Sequence, residues 1–396
     1  MTETTARSSV QRLTLVVAGY FPDSRGGAER QAQILAEALH ARGVDVTLIA
    51  PTTWASAPSI ENTSFGRIER FRVRKYPSAG GRHILDFLAW TFWFRKHITP
   101  RLDPTTPVYV FHARLHAFGP ALAARASGAP FLIKLGGGGD ASDFAALRAK
   151  RFLYGRWIQR YLLRNTSAFV ANSKQIAEDL VLLKVPSDRI VCFPNGVVLP
   201  EKSNIQSAIA RRSGRRFLSS GRMVADKNVG VLWEAASALI RGGVQLDITF
   251  LGEGPERGRL EAAAAAAGVS ARVEFPGFVS DVYQYLEATD FFLSASMREG
   301  QSNALLEAMS AGVIPIVFGA SGAEVVIHGE TGFLVERSDP EAFRDAIEAA
   351  LALSVERRVA MAQASRAYAA SHIGIGRVAE DTIALITRLM APNDYK

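Results

Sequence analysis

The chain has 396 residues, of which 48% are hydrophobic and 21% are charged, which fits two or three folded domains and excludes a disordered chain. A single cysteine excludes an intrachain disulfide framework, and no apolar run reaches the roughly 18 residues that span a bilayer. The net charge of +8 is uneven, because residues 1–200 carry 26 basic and 14 acidic residues whereas the remainder carries 20 and 24. The basic half favours a partner that bears phosphate, such as a nucleic acid, a lipid headgroup or a phosphorylated small molecule.

The first half of the chain alternates short apolar strands with helical patterns. We predict strands at 13–20, 44–50, 108–112, 131–135, 167–171 and 190–193, and helices that include 28–42, 145–163 and 175–183. The strands are continuous apolar runs, which is typical of parallel strands covered on both faces. Residues 13–21 are therefore interpreted as a first buried strand and not as a signal peptide, and we expect a cytoplasmic protein.

The alternation pauses at a polar, basic stretch, 199–216, which we interpret as a linker. It then restarts with predicted strands at 217–220, 246–251, 272–275, 291–295 and 314–318, predicted helices at 228–241, 256–267, 282–288 and 303–311, and a mostly helical tail at 340–390. This pattern predicts an α/β chain with two doubly wound, Rossmann-like domains that face each other across a cleft. We expect these domains at 1–198 and 217–374, with a C-terminal helix at about 375–396 completing the first.

Two strand-to-helix junctions carry residues suited to phosphate. Gly26 and Gly27 precede the first helix, where glycine permits close backbone approach and the helix N-terminus offers N–H groups, although a plain tight turn needs the same residues. Arg222 and Lys227 follow the first strand of the second half and could grip a diphosphate, although isolated residues of this kind are more often solvated. Residues 252–254 lack the third glycine of the dinucleotide fingerprint, which argues against a dehydrogenase.

The most informative segment, 298–312, runs from a strand end through a glycine loop into a helix. Glu299 lies in the loop, and Glu307 is the only charge within an apolar helical run. A buried acid needs hydrogen-bond donors, which ribose or sugar hydroxyls supply, whereas a lone glutamate would more simply face solvent. Two acids eight positions apart around this loop favour a site for a sugar nucleotide.

The chain resembles retaining glycosyltransferases of family 4, which have the GT-B fold, over nearly its whole length. The resemblance rests on residues 26–30, 194–197 and 221–227 and above all on 299–312, which is similar to the family signature of two glutamates separated by seven residues.

The resemblance implies roles for these residues. Glu299 would contact the donor sugar, and Arg222 and Lys227 would neutralise the diphosphate, so that these three are the expected catalytic residues. Glu307 would contact the nucleotide ribose. The other residues implied in substrate binding are Gly26, Gly27, Gly300, Gln301, Ser302 and Asn303.

The chain departs from the family after the strand predicted at 131–135, where many members carry a histidine. Residues 134–140 read Lys-Leu-Gly-Gly-Gly-Gly-Asp, so the catalytic base stays unassigned, and Asp140 is a candidate polar contact. His112, which closes a neighbouring strand, is a candidate sugar contact. His112 and His116 have the spacing of a metal-binding pair, but no cysteine or acidic cluster accompanies them, so we expect no metal site.

No Asp-x-Asp triplet occurs in the chain, which fits a metal-independent enzyme without a cofactor. The resemblance then implies transfer of a sugar, with retention, from a nucleoside-diphosphate-sugar donor, as co-substrate, to a glycan or lipid-linked acceptor, in cell-surface polysaccharide or glycolipid synthesis. Two alternatives stay open: a non-catalytic GT-B protein that binds nucleotide sugars as a partner of an active enzyme, and a sugar-nucleotide epimerase.

Residues 67–101 combine basic and aromatic side chains but are too short in their apolar part to span a bilayer. The segment is interpreted either as a core helix of the first domain or as a peripheral contact with the anionic inner face of the membrane. No nucleic-acid-binding module accompanies it, so we expect no nucleic-acid partner.

Overall fold

The computed structural model describes residues 10–22, 26–76, 84–138, 142–150, 154–201, 208–297 and 301–391. The chain divides into two compact units, one formed by Met1–Gly196 with Ile375–Lys396 and the other by Val197–Gly374. Each unit is an α/β structure built on its own sheet, and the two sheets have eight and six strands.

The sheet of the first unit has the strand order β3-β4-β2-β1-β5-β6-β7-β8, parallel except for the β3–β4 pair. Its strands are β1 (Arg12–Val16), β2 (Asp45–Thr52), β3 (Ile60–Thr63), β4 (Gly66–Arg72), β5 (Val108–Phe111), β6 (Phe131–Lys134), β7 (Ala168–Ala171) and β8 (Ile190–Cys192). The helices before the second unit are α1 (Gly27–His40), α2 (Ile84–Trp93), α3 (Phe118–Ser127), α4 (Asp143–Arg148), α5 (Tyr154–Asn165) and α6 (Lys174–Leu182).

The second unit has a parallel sheet of order β11-β10-β9-β12-β13-β14. Its strands are β9 (Arg216–Ser220), β10 (Asp247–Leu251), β11 (Val273–Gly277), β12 (Phe291–Ser294), β13 (Ile314–Phe318) and β14 (Phe333–Val335). Its helices are α7 (Val229–Arg241), α8 (Arg257–Ala266), α9 (Tyr283–Leu286), α10 (Asn303–Ser310), α11 (Gly319–Gly322), α12 (Pro340–Leu351) and α13 (Val355–Tyr368), and α14 (Ile375–Met390) returns to the first unit.

Both faces of the first sheet are covered, which explains why its strands read as continuous apolar runs. Successive side chains of β1 alternate between faces: Leu13 and Leu15 join one apolar cluster, and Val16 joins the other. The cluster around Leu13 is completed by α14, whose Leu385 and Ile386 are buried.

The structure contains three strands that the sequence patterns did not predict: β3, β4 and β14. β4 lies inside the basic stretch at the start of 67–101, and its charges pair within the sheet. Glu69, almost fully buried, is bound by Arg67 at 3.0 Å and by Arg101 at 2.6 Å. The buried Arg70 pairs with Glu61 at 2.6 Å. The helix predicted at 145–163 is instead two helices, α4 and α5, because α4 ends in a turn at 149–150, and residues 151–153 lie outside the described part of the chain.

Part of the stretch interpreted as a linker is built into the second unit. Arg212 is buried, and its guanidinium donates to four backbone carbonyls, those of Leu286, Glu287, Ala311 and Gly312, at 2.6–3.2 Å. These carbonyls lie at the C-terminal ends of α9 and α10, where no further helical N–H is available. Arg212 therefore caps two helices at once.

Replacing Arg212 with alanine is expected to lower the free energy of unfolding by about 3 kcal/mol, because the buried guanidinium and its four hydrogen bonds to backbone carbonyls are lost. Arg211→Ala changes an exposed neighbour and is the matched control. Denaturant unfolding of both variants checks this, and equal stability of the two would contradict the capping role.

The core of the first unit contains a histidine, His116. It is fully buried in the turn before α3, and its Nε2 donates to the Phe111 carbonyl at 2.9 Å. Burial lowers the pKa of His116 to about 3, so the ring is neutral at physiological pH. The unfolded chain takes up this proton near pH 6.5 and the folded chain only near pH 3. Acidification between these values therefore favours unfolding.

His116→Gln keeps an N–H donor and removes the titration. Between pH 7 and pH 5 the variant is expected to lose about 2 kcal/mol less free energy of unfolding than the unmodified chain. Denaturant unfolding at both pH values measures this, with His40→Gln, at an exposed site, as the control. Identical pH dependence in the His116 variant and the parent would show that this histidine does not carry the effect.

Candidate functional site

The second unit has a pocket at its topological switch point. The chain runs outward from β9 on one side and from β12 on the other, so the loops after these two strands diverge. Gly221, Arg222 and Lys227 from the loop after β9 line the pocket together with Ser294 and Ser302 from the far side. The structure thus brings together three of the residues singled out in the sequence: Arg222, Lys227 and Ser302.

The cations of this pocket differ in their surroundings. Arg222 is exposed, and its guanidinium has no hydrogen bond or ion pair with any residue that the structure describes. Lys227 is half-buried at the end of a short 3₁₀ turn. The amide of Met297 donates to the Asp226 carbonyl at 3.0 Å, which fixes the backbone after β12 against this turn. Glu299 and Gly300 follow directly and lie outside the described residues.

The glycines at 252 and 254 have a structural explanation. Gly252 has φ +124, and a Cβ there would collide with the backbone carbonyl of Gly221. Hydrogen bonds join the two loops, from the Gly221 amide to the Leu251 carbonyl at 3.0 Å and from the Met223 amide to the Glu253 carbonyl at 2.9 Å. Glycine is required here because the loop after β10 supports the backbone on which Arg222 stands.

Helix α10 has one face in the core and one face with half-buried polar residues. Ser302 is its N-cap, and its hydroxyl accepts from the Leu305 amide at 3.4 Å. Asn303 and Glu307 are one turn apart and half-buried, whereas Leu305 and Leu306 are buried. Glu307 therefore lies on the helix face away from the core, at its boundary, and Gln301 is half-buried immediately before the cap.

In the first unit, Gly26 and Gly27 lie at the start of α1, which follows β1. Gly26 is the N-cap residue in an extended conformation, and Gly27 is the first helical residue. The side chain of Gln31, one turn further on, holds both backbone groups of Gly196 at 2.8 Å. This pair ties the glycine junction to the motif at 194–197.

His112, at the end of β5, forms a pair with Asp143. Its Nδ1 lies 3.1 Å from both carboxylate oxygens of Asp143, which is almost fully buried at the first position of α4. Burial alone would raise the pKa of Asp143, but His112 and Arg114 outweigh it and hold that pKa well below its usual range. Asp143 is therefore ionised, and the Nδ1 of His112 carries the proton.

Asp143 was not predicted, whereas Asp140, which was, lies outside the described residues. The signal for Asp143 was local: Ser142 is the N-cap of α4 and accepts from the Ala145 amide at 3.1 Å, which places the next acid at the carboxyl edge of the sheet. No spacing in the sequence linked it to His112, 31 positions away.

Helix α2 buries one face and exposes an apolar one. Phe87 and Trp90 are buried, whereas Leu85 is 75% exposed and Phe92 is 65% exposed. Trp157 of α5 extends this apolar surface at 58% exposure. The interpretation as a core helix is met on the buried side of α2, whereas the contact with a membrane stays a prediction. None of the helices in the described part of the chain is long and apolar enough to cross a membrane.

Family models match most of the chain. The model described as "Glycosyl transferase 4-like domain" matches residues 26–196, and the model described as "Glycosyl transferases group 1" matches residues 214–352. The first match covers the β1–α1 junction and the His112–Asp143 pair, and the second covers the pocket after β9.

Relatives and solved structures agree with these matches. The chain is 32% identical over 190 residues to the lipopolysaccharide core biosynthesis glycosyltransferase LpsE of Rhizobium meliloti, covering 47% of this chain and 54% of that one. It is 26% identical to an Escherichia coli UDP-Gal:alpha-D-GlcNAc-diphosphoundecaprenol alpha-1,3-galactosyltransferase, covering 57% of this chain and 61% of that one. The chain thus spans less than two thirds of the length of either relative.

The fold is similar to that of Anabaena Alr3699/HepE in complex with UDP, with a TM-score of 0.70 at 18% identity, over 96% of this chain and 100% of that one. Two parallel-sheet α/β units in tandem are the GT-B architecture expected from the sequence. With both family models matched in their order along the chain, this protein belongs to the glycosyltransferases of the GT-B fold, of the family 4 type.

Proposed function

We propose that the protein transfers a sugar from a uridine-diphosphate-sugar donor, in polysaccharide or lipopolysaccharide-type synthesis. One observation carries the proposal: Arg222, Lys227 and Ser302 converge at the switch point of the second unit, and the Arg222 guanidinium has no partner among the described residues. A guanidinium, an ammonium and a hydroxyl suit a diphosphate, whose developing charge the two cations stabilise when it leaves. The UDP in the structurally similar HepE complex supports uridine as the nucleoside.

The remaining roles follow the family resemblance. Glu299 contacts the donor sugar, Glu307 the ribose, and the segment 300–303 the sugar or the β-phosphate. Transfer proceeds with retention and without a metal, the two cations taking the role that a divalent ion has in other glycosyltransferases. The absence of an Asp-x-Asp triplet from the sequence supports this assignment.

The acceptor is a glycan or a lipid-linked sugar. A relative is named for a diphosphoundecaprenol acceptor, and the first unit carries the basic excess of the chain. Its switch point, between β1 and β5, offers Gly26, Gly27 and His112 as contacts.

UDP is expected to raise the melting temperature of the protein by mass action, and Arg222→Ala is expected to weaken UDP binding by about 30-fold, the loss of one charge-assisted hydrogen bond. Arg241→Ala, at the other end of α7, is the matched control and keeps full affinity. Thermal shift and calorimetric titration with UDP and GDP measure this. Equal UDP affinity in the Arg222 and Arg241 variants would refute the site, and UDP binding without turnover of any UDP-sugar would favour a non-catalytic partner protein.

We further propose that the exposed face of α2 rests on an anionic membrane on the cytoplasmic side. Leu85, Leu88 and Phe92 are exposed there, and Phe118 packs against both Phe87 at 5.9 Å and Trp157 at 5.2 Å, which joins α2 and α5 in one surface. The exposed basic side chains beside it have no acidic partner among the described residues: Arg95, Lys96, Arg156 and Arg160. Apolar side chains flanked by cations suit the interface of a bilayer.

Vesicles of phosphatidylglycerol are expected to co-sediment with the protein at low salt and to release part of it at high salt. Combined Leu85→Ser, Leu88→Ser and Phe92→Ser should weaken binding by about tenfold or more. Val181→Ser with Leu182→Ser removes equally exposed apolar residues on α6 and is the control. Binding that does not change with salt would contradict a membrane contact at α2. An equal loss of binding in the α2 variant and the α6 control would contradict it as well.

A further inference from the structure

The end of β5 holds a residue in a strained backbone conformation. His112 has φ +72, in the left-handed region that residues with a side chain adopt uncommonly. Its amide donates to the Lys134 carbonyl at 2.7 Å, which fixes it to the end of the adjacent strand β6. Since β1 and β5 are neighbours from which the chain runs outward in opposite directions, His112 stands at the switch point of the first sheet.

Asp143, which holds the His112 ring, is itself fixed by several hydrogen bonds. Besides His112, the Asp143 carboxylate accepts from the Ala113 amide at 3.2 Å, the Gly136 amide at 3.2 Å and the Arg114 Nε at 3.0 Å. Because Nδ1 donates its proton to this carboxylate, Nε2 is the ring nitrogen that stays available to a ligand. Nε2 has no hydrogen bond within the described part of the chain, and the side chain is 23% exposed.

The ring lies in the space that a side chain at position 136 would fill. A Cβ on Gly136 would collide with the imidazole of His112, so the position of this ring requires glycine at 136. Residues 134–138 are the place where the resemblance leads one to expect a histidine, and this chain instead brings an imidazole there from the neighbouring strand.

We infer that His112 Nε2 forms a hydrogen bond with a hydroxyl of the sugar substrate, with Asp143 as the positioning residue that fixes the ring. The inference rests on the proposed function and adds a contact to it. A sugar hydroxyl suits this nitrogen because a hydroxyl both donates and accepts hydrogen bonds. The His112 side chain is 23% exposed, whereas the core residue His116 is fully buried.

The test uses the full chain, a panel of UDP-sugars and release of UDP as the readout, with and without a lipid extract as acceptor. His112→Gln is expected to lower the turnover number by about 30-fold while UDP affinity stays unchanged. Asp143→Asn should lower it less and leave the Michaelis constant for the donor near its original value. His40→Gln is the control, and the melting temperature of each variant monitors folding.

An exchange variant separates position from folding. His112→Gly is expected to be nearly inactive. His112→Gly combined with Gly136→His returns an imidazole to the same space from the loop after β6, and its turnover should be about tenfold higher than that of His112→Gly. Gly136→Ala alone should displace the ring and lower turnover. If His112→Gln lowers UDP release measured in the absence of the lipid extract, the hydroxyl belongs to the donor sugar. If it lowers only the transfer measured with the extract, the hydroxyl belongs to the acceptor.

Unchanged turnover in His112→Gln, or an exchange variant no more active than His112→Gly while UDP binding is intact, would overturn the inference and leave the proposed function standing. If the parent chain neither binds UDP nor releases it from any sugar in the panel, the proposed function itself fails, and this inference fails with it.

Discussion

In both units, the position of the candidate site depends on the switch point of the parallel sheet. Where the chain turns to opposite sides after two neighbouring strands, their loops separate and leave space at the carboxyl edge of the sheet. In the second unit this space lies between β9 and β12 and holds Arg222, Lys227 and Ser302. In the first unit it lies between β1 and β5, where Gly26 begins a helix and His112 ends a strand. The polar residues of the two candidate sites owe their places to this topology.

Close backbone packing supports these residues, and glycine makes the packing possible. Gly252 allows the loop after β10 to touch Gly221, so the residue next to Arg222 is held by a neighbouring strand. Gly136 allows the imidazole of His112 to lie over the end of β6. In both places the missing side chain positions a charged or polar group that comes from elsewhere. A glycine-rich sequence at a strand end is therefore informative about its neighbours as much as about itself.

The sequence predicted what depends on local periodicity and missed what depends on distant partners. Continuous apolar runs predicted most strands of both sheets, because strands covered on both faces need apolar residues throughout. β3 and β4 were missed because strands near the edge of a sheet carry charges, and Glu69 is buried only through Arg67 and Arg101. Arg212 resembled a linker residue because its four carbonyl partners lie 74 to 100 positions away. The link between His112 and Asp143 was invisible for the same reason.

The residues of the candidate site show the same difference between local patterns and distant partners. Arg222, Lys227 and Ser302 were predicted from the motifs at strand ends, and the structure places them in one pocket. Glu299, Gly300 and Asp140 lie outside the described residues, so their roles stay predictions. The pairing of Asp143 with His112 needed the fold, because only the sheet order brings the ends of β5 and β6 together.

The basic excess of the first unit is not spread evenly over its surface. Arg67, Arg70 and Arg101, which contribute strongly to the charge of 67–101, are matched by Glu61 and Glu69 inside the sheet. Other exposed cations stand beside the apolar side chains of α2 and α5, Arg95 and Lys96 after α2 and Arg156 and Arg160 on α5, and none of the four has an ion pair with an acidic residue in the described chain. A charge that is neutralised within the fold contributes little to attraction at a distance, whereas a cluster without counter-charges keeps its field. The apolar surface that carries Phe92 and Trp157 thus lies beside exposed cations, and the proposed contact with an anionic membrane rests on these two properties together.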